Sequence, residues 1–257
     1  MVERTSGAIY PDLAGKSVIV TGGGSGIGAA IVRAFVRQQA KVGFIDIARE
    51  PSQALAAELG GDAAGVRYVE ADIRDVAALK GAIATIAAVH GAADILVNNA
   101  AHDERHATAE VTPEFFDERI AVNLRHSFFA AQAVLPGMQA SGGGVIVNFS
   151  SISWMTGQGG MAVYTAAKSA MLGLTRSLAR DYGVHNIRVN AIAPGWVRTE
   201  RQLAKWVTPE ADQRRNESQC LKRWVVPEDI ARSCVFLCSD EASACTAQHY
   251  VVDAGRV

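Results

Sequence analysis

The stretch Ser17–Phe35, SVIVTGGGSGIGAAIVRAF, decides how the rest of the chain is read. Five residues rich in β-branched side chains suit a buried strand. Glycines follow at once, and after them a helix-favouring run. Gly22, Gly26 and Gly28 give the pattern T-G-x-x-x-G-x-G. Glycines between a strand and a helix let main-chain N–H groups approach a pyrophosphate at the positive end of the helix. A glycine cluster alone is weak evidence, but one that follows a strand and opens a βαβ unit is a dinucleotide-binding signal. Gly22, Ser25, Gly26, Ile27 and Gly28 are therefore candidate cofactor contacts. Asp46 stands 18 residues beyond Gly28, at the end of the next apolar run. A carboxylate there accepts hydrogen bonds from both adenosine ribose hydroxyls and repels a 2′-phosphate, which favours NAD over NADP. Arg49 nearby leaves NADP possible. Asp72, followed by Ile73, stands where a carboxylate meets the adenine amino group, or else caps the helix that follows.

The same rhythm continues outward. Short apolar runs recur at 41–46, 66–72, 94–98, 144–150, 187–193 and 249–253, separated by helix-length, Ala-rich segments. Near-continuous apolar strands alternating with helices indicate a parallel sheet covered on both faces. The expected fold is α/β: one Rossmann-type, doubly wound sheet of about seven strands, formed by residues 1–257 as a single domain. Residues 196–226 break the rhythm. They are polar and rich in Trp and Arg, as expected of a substrate lid inserted after a strand.

The chain has 257 residues, 49% of them hydrophobic, and a formal net charge of -1, so nothing points to nucleic acid or an anionic membrane. No apolar run is long enough to span a bilayer, and MVERTSGAIYPD (1–12) lacks the apolar core of a secretory signal. A cytoplasmic protein is expected. Cys220, Cys234, Cys238 and Cys245 are then expected to be small, buried and reduced.

Residues 162–182 read as one long helix with Tyr164 and Lys168 four apart, hence on one face. A free phenol near pH 10 is too weakly acidic to work as a base at neutrality, and a neighbouring ammonium favours the phenolate. The pair can then take a proton from an alcohol, or can be an ordinary surface pair. Ser151 ends the fifth strand. Asn123 lies in an otherwise amphipathic helix. A Pro-Gly turn, APGWVRT (193–199), follows the sixth strand.

With TGGGSGIG, NNA (98–100), Asn123, Ser151, YTAAK (164–168) and PGWVRT in place, the chain resembles the short-chain dehydrogenase/reductase family over essentially its whole length. The resemblance implies an NAD(P)-dependent oxidoreductase, with Tyr164 as general base and Lys168 lowering its pKa and holding the nicotinamide ribose. It implies that Ser151 bonds the substrate oxygen and that Asn123 holds a water in a proton relay to Lys168. Asn99 and Ala100 would line the adenosine side of the cofactor. Pro194, Gly195, Val197 and Thr199 would lie at its nicotinamide end. A homotetramer built through 113–139 and 163–182 is also implied. The chain departs from the family at Ala101 and Ala254, where glycine is usual, so the loop after Ala101 is expected to run differently.

Within the family, AIYPDLAGK (8–16), DERH (103–106), DERIAVNLRH (117–126), KWVTPE (205–210) and QCLK (219–222) are similar to bacterial NAD-dependent sugar 1-dehydrogenases, whose substrates include D-xylose, L-arabinose and D-galactose. That implies oxidation of an aldose at C1 to its lactone. His102, Ser153 and Trp196, with Ser151 and Tyr164, are candidate substrate contacts; Asp103, Arg105, Gln158, Trp154 and Trp206 are further ones. His102 and His106 also raise a metal reading, but HDERH is not the helical H-E-x-x-H and offers no third ligand, so no metal is expected. The competing functions are a carbonyl reductase, such as a 3-oxoacyl-carrier-protein reductase, and a nucleotide-binding protein without catalysis. The complete set Asn123, Ser151, Tyr164 and Lys168 argues against the second.

Overall fold

The computed structural model describes residues 7–257; the part of the amino-terminal signal reading that falls on residues 1–6 lies outside them. Seven strands form one parallel sheet: β1 Ser17–Thr21, β2 Lys41–Asp46, β3 Val66–Glu70, β4 Ile95–Asn98, β5 Gly144–Phe149, β6 Ile187–Pro194 and β7 His249–Val252. Their spatial order is β3-β2-β1-β4-β5-β6-β7. Every residue of β1 and β4 is buried, which is why these segments read as unbroken apolar runs.

Alternation within a strand separates two cores. Val18 and Val20 face α1 (Gly26–Arg37) and α9 (Pro227–Cys238), packing with Ile31, Phe35, Ile230 and Leu237. Ile19, Leu96, Ile146 and Val189 face the other way. They pack with Leu79 and Ile86 of α3 (Val76–His90), Leu135 and Met138 of α5 (His126–Ala140), and Leu178 of α6 (Ala162–Tyr182). The order reverses between β1 and β4, so a crevice opens at their carboxyl ends, where such sheets bind ligands. Asp94 stands just before β4, its carboxylate accepting the Ser17 N–H at 2.8 Å and so pinning the start of β1.

Three segments differ from the sequence reading. The region 196–226 is not an open loop. A parallel bridge, Val197 to Val225, closes its base, and two short helices lie between: α7 Glu200–Lys205 and α8 Pro209–Ser218. Thr199 and Thr208 cap them, accepting the N–H of Gln202 and Ala211. The helix expected around Asn123 is interrupted after α4 (Pro113–Ile120) by a π turn over Ala121–Arg125. The cysteines are all free, but Cys220 is exposed and Cys245 half-buried, so only Cys234 and Cys238 match the buried expectation.

Candidate active site

The glycine turn is shaped by close approach. Gly22 has a φ of +67°, and a Cβ there would stand 2.7 Å from Ala100 Cα. A Cβ on Gly28 would stand 1.8 Å from the Gly22 carbonyl oxygen. Only glycine lets helix α1 start this close to β1 and the end of β4. Asn99 fastens the turn from the other side, donating to the Thr21 and Gly22 carbonyls at 3.1 and 2.9 Å. The first N–H groups of α1, around Ser25, Gly26 and Ile27, have no acceptor within the helix, and no side chain caps them. Thr199 leans against the same turn, its methyl 3.3 Å from where a Gly26 Cβ would sit.

Asp46 ends β2 beside this turn. Its two carboxylate oxygens accept the N–H groups of Gly24 at 2.8 Å and Ala48 at 2.9 Å, which fixes the carboxylate at the sheet edge. Asp72 is not the helix cap: Asp75 caps α3, accepting from Ala77 and Ala78. Asp72 instead binds the Arg74 guanidinium at 2.6 Å and its main-chain N–H at 2.9 Å. That pairing holds the Asp72 carboxyl below its ordinary value. Ile73 beside it is buried. The cradle fits a dinucleotide's needs: glycines at 22 and 28 where a Cβ would collide, helix N–H groups without an acceptor in the helix, and a carboxylate fixed at the end of β2.

On the other side of β4, Tyr164 and Lys168 project from the start of α6. Lys168 is buried, and its ammonium donates to the Phe149 carbonyl at 2.8 Å. No carboxylate pairs with it among the described residues, and burial pulls its pKa down to about 7. The Tyr164 phenol is pushed up to about 12, first by burial and then by the charge of Asp103, while Ser151, Arg201 and Arg105 act the other way. The direction is opposite to the lowering expected from the lysine, which is not among the groups that move the phenol. The Ser151 hydroxyl accepts the Ser153 N–H at 3.1 Å, holding the turn after β5 in place.

Asn123 is fully buried at the π turn, and its side chain is a clamp. Its Oδ1 accepts the His102 N–H at 2.9 Å, and its Nδ2 donates to the His102 and Arg119 carbonyls at 3.1 and 3.0 Å. A π turn widens the helix by one residue and often marks a functional site. Here it places the amide against the loop that follows β4. Ala101 in that loop has an ordinary negative φ, so the chain manages without the glycine usual there, whereas Ala254 does adopt a φ of +62°.

A cavity of about 500 Å³ opens at these residues. Of the sequence candidates, Ile27, Asn99, Ser151, Ser153, Tyr164, Lys168, Pro194, Gly195, Trp196, Val197 and Thr199 line it. Asp103, Arg105, Gln158 and Trp206 line it too. Gly22, Ser25, Gly26, Gly28, Asp46, Asp72, Ile73, Ala100 and Asn123 are not on its wall. Trp154 is not on the wall; its indole N–H donates to Ser150. Nor is His102: its ring turns toward Glu104 and Arg119, and burial lowers its pKa. His106 is held separately, its Nε2 accepting the Val163 N–H and its Nδ1 donating to the Glu104 carbonyl. Among the described residues no three His, Cys, Asp or Glu side chains gather as metal ligands.

The wall also holds residues that the sequence did not single out. Gln202 donates to Asp103 at 2.7 Å and accepts the Trp196 indole N–H at 2.8 Å, and Arg201 pairs with Asp103 at 3.0 Å. Arg105 stacks 5.0 Å over the Trp206 ring. These contacts tie α7 to the loop after β4, almost a hundred residues away in sequence, and no local pattern announces them.

The chain belongs to the short-chain dehydrogenase/reductase family. The family model described as enoyl-(acyl carrier protein) reductase matches residues 22–256. A D-xylose 1-dehydrogenase of Caulobacter vibrioides (strain NA1000 / CB15N) is 50% identical over 250 residues, covering 97% of this chain and 99% of that protein. A protein of Rhizobium meliloti (strain 1021) named a probable galactose dehydrogenase is 49% identical over 247 residues, covering 96% of each. Among solved structures, a 7 alpha-hydroxysteroid dehydrogenase in complex with NADH and 7-oxo glycochenodeoxycholic acid is 32% identical. It superimposes with a TM-score of 0.89, covering 96% of each chain. The family's dehydrogenases use NAD or NADP. No described helix of this chain is long and apolar enough to cross a membrane.

Proposed function

We propose that the protein is an aldose 1-dehydrogenase, oxidising a pentose or hexose at C1 to the aldonolactone with NAD. The observation that carries this reading is full-length identity of 50% to a D-xylose 1-dehydrogenase. The chain keeps Ser151, Tyr164 and Lys168 together on one cavity wall, which supports it. NAD is preferred because Asp46 fixes a carboxylate at the adenosine end, where it would meet a 2′-phosphate with like charge. Gly22, Ser25, Gly26, Ile27 and Gly28 would hold the pyrophosphate. Asp72, Ile73, Asn99 and Ala100 would line the adenosine side, and Pro194, Gly195, Val197 and Thr199 the nicotinamide end.

The oxidised nicotinamide, when bound, accepts the C1 hydride and brings positive charge that favours the phenolate. Tyr164 takes the proton from the anomeric hydroxyl. A phenol at about 12 holds that proton tightly, so the base works only when cationic charge gathers beside it. Lys168, at about 7, passes protons near neutrality and is suited to relay this one onward. Ser151 steadies the oxygen as it becomes a carbonyl. The Asn123 amide is engaged by His102 and Arg119, so a relay past Asn123 would use its main chain rather than its side chain. Residues 196–226 act as the lid of one domain, tied down through Asp103. A homotetramer in the cytoplasm is part of the same reading.

Initial rates of NADH or NADPH formation with D-xylose, L-arabinose, D-galactose and D-glucose test it. Oxidation of at least one aldose, faster with NAD, is expected. No rate above background with any aldose would remove the aldose reading, and a preference for NADP would remove the role given to Asp46.

A further inference from the structure

The cavity wall is more basic than a neutral sugar requires. The whole chain is nearly balanced, with 25 Lys and Arg against 26 Asp and Glu. On the wall of this cavity, however, stand Arg105, Arg201, Arg214, Arg215 and Arg256, with Asp103 as the lone carboxylate. Asp103 is already engaged, by Arg201 on one oxygen and Gln202 on the other. Arg215 is also engaged, buried over the Trp224 ring and bonded to Asp212 and Gln219. That leaves Arg105, Arg214 and Arg256, none of which has a carboxylate within salt-bridge distance among the described residues. They come from three separate segments: the loop after β4, α8 and the chain's last residues.

A second, independent observation points the same way. Four residues of this wall each carry a polar atom that is buried without a hydrogen-bond partner among the described residues: Arg105 Nε, Arg201 Nε, Trp206 Nε1 and Ser153 Oγ. Guanidinium and indole groups donate and never accept. A buried donor without an acceptor is costly, and like charges on one wall repel. The complement of such a wall is rich in acceptor oxygens and negatively charged. The guanidinium fork matches a carboxylate or phosphate in two parallel hydrogen bonds. The cofactor's own phosphates do not account for these arginines, because the glycine turn that takes a pyrophosphate is flanked by Thr199, not by Arg105, Arg214 or Arg256.

We propose that this cavity is built for an aldose carrying a negative charge, a carboxylate or phosphate held by Arg105, Arg214 and Arg256 while C1 faces Tyr164. The inference rests on the aldose reading and narrows its substrate class. The chemistry at C1 is unchanged: the C–H leaves with its electron pair to oxidised NAD, the anomeric proton goes to Tyr164 and then to solvent, and a lactone bearing the same anionic group is formed.

The test compares kcat/KM with NAD for D-galactose, D-galacturonate and D-galactose 6-phosphate, and for the matching glucose series, which separates carboxylate from phosphate. At least a tenfold advantage for one anionic series over its neutral parent is expected. Raising the salt concentration should erode that advantage, and the double variant Arg214→Gln with Arg256→Gln should cut the anionic-to-neutral ratio at least tenfold while the KM for NAD holds. Turnover of neutral aldoses with no anionic advantage overturns the inference and leaves the aldose reading standing. If no aldose of either kind is oxidised, the aldose reading falls. Titration calorimetry with galacturonate and with inorganic phosphate then decides the anion site. Binding that weakens tenfold in the double variant supports it, and absence of binding overturns it.

Discussion

The two halves of the crevice are built from different materials. The half made by β1, the glycine turn and the end of β2 is main chain brought close to main chain: a missing Cβ at Gly28, free helix N–H groups, and one carboxylate fastened by two amides. The half that faces Tyr164 is side chain meeting side chain. Asp103 and Arg105 come from the loop after β4, and Trp196, Arg201, Gln202 and Trp206 from α7 and its flanks, almost a hundred residues away. The first kind of site follows from topology and suits one ligand shared across a family. The second is free to change, because a different side chain on the lid leaves the sheet untouched. Substitutions that damage one half and spare the other test that division.

The largest separation is expected from Tyr164→Phe. The ring stays and only the phenol oxygen goes, so packing at the start of α6 is preserved. General acid–base catalysis contributes up to about 10⁴-fold, and a fall in kcat on the order of 10³-fold, about 4 kcal/mol, is expected. Binding of NADH, followed by its fluorescence, should change by less than about threefold, since the phenol stands apart from the glycine turn proposed to hold the cofactor. Turnover that survives this substitution would show that the base lies elsewhere.

Gly28→Ala probes the opposite half. The new methyl would sit 1.8 Å from the Gly22 carbonyl oxygen, so α1 or the turn must move. Overpacking of this kind costs about 3 kcal/mol, enough to lower the melting temperature by about 10 °C in a chain of this length. NADH affinity should fall with it. A variant that melts with the parent and binds NADH equally well would mean that the tight turn is not what shapes the cofactor half.

The same division governs what could be read from the sequence. The strand, turn and helix at 17–37 were legible because local periodicity and three glycines specify them. Helix α6 was expected at 162–182 and runs Ala162–Tyr182, with the Tyr164–Lys168 pair on one face as four-residue spacing requires. The π turn at Asn123 was not legible, because an extra residue in a helix has no signature in side-chain pattern. The lid helices α7 and α8 read as a polar break. Both are short, polar and held by tertiary contacts, although Thr199 and Thr208 stand at their starts as caps. His102 was expected on the cavity wall. Its ring turns instead to Arg119, a partner that only the packing of α4 against the loop could supply. Lys168 next to Tyr164 suggested a lowered phenol pKa, but burial and Asp103 move it upward, and neither is visible in a motif.

The smallest expected effect is the most diagnostic of how the halves communicate. Asp103 is less than a third exposed and holds Arg201 and Gln202 on the lid, and its negative charge raises the Tyr164 phenol. Arg201, Arg105 and Ser151 face the same phenol and lower it. Asp103→Asn keeps an oxygen for Gln202 to donate to, removes the charge, and sets an amide NH2 against Arg201 where the other carboxylate oxygen stood. The phenolate then becomes easier to form, both because Asp103 no longer opposes it and because Arg201 is no longer neutralised. With the ionised phenol as the proposed base, the rising limb of log(kcat/KM) against pH should move to lower pH, by roughly half a unit or about 0.7 kcal/mol. A shift to higher pH would mean that Arg201 reaches Tyr164 only while Asp103 positions it, making the lid part of the base's electrostatics rather than a cover over it. No shift, with a raised KM for sugar, would confine Asp103 to substrate contact and leave the phenol governed by burial alone.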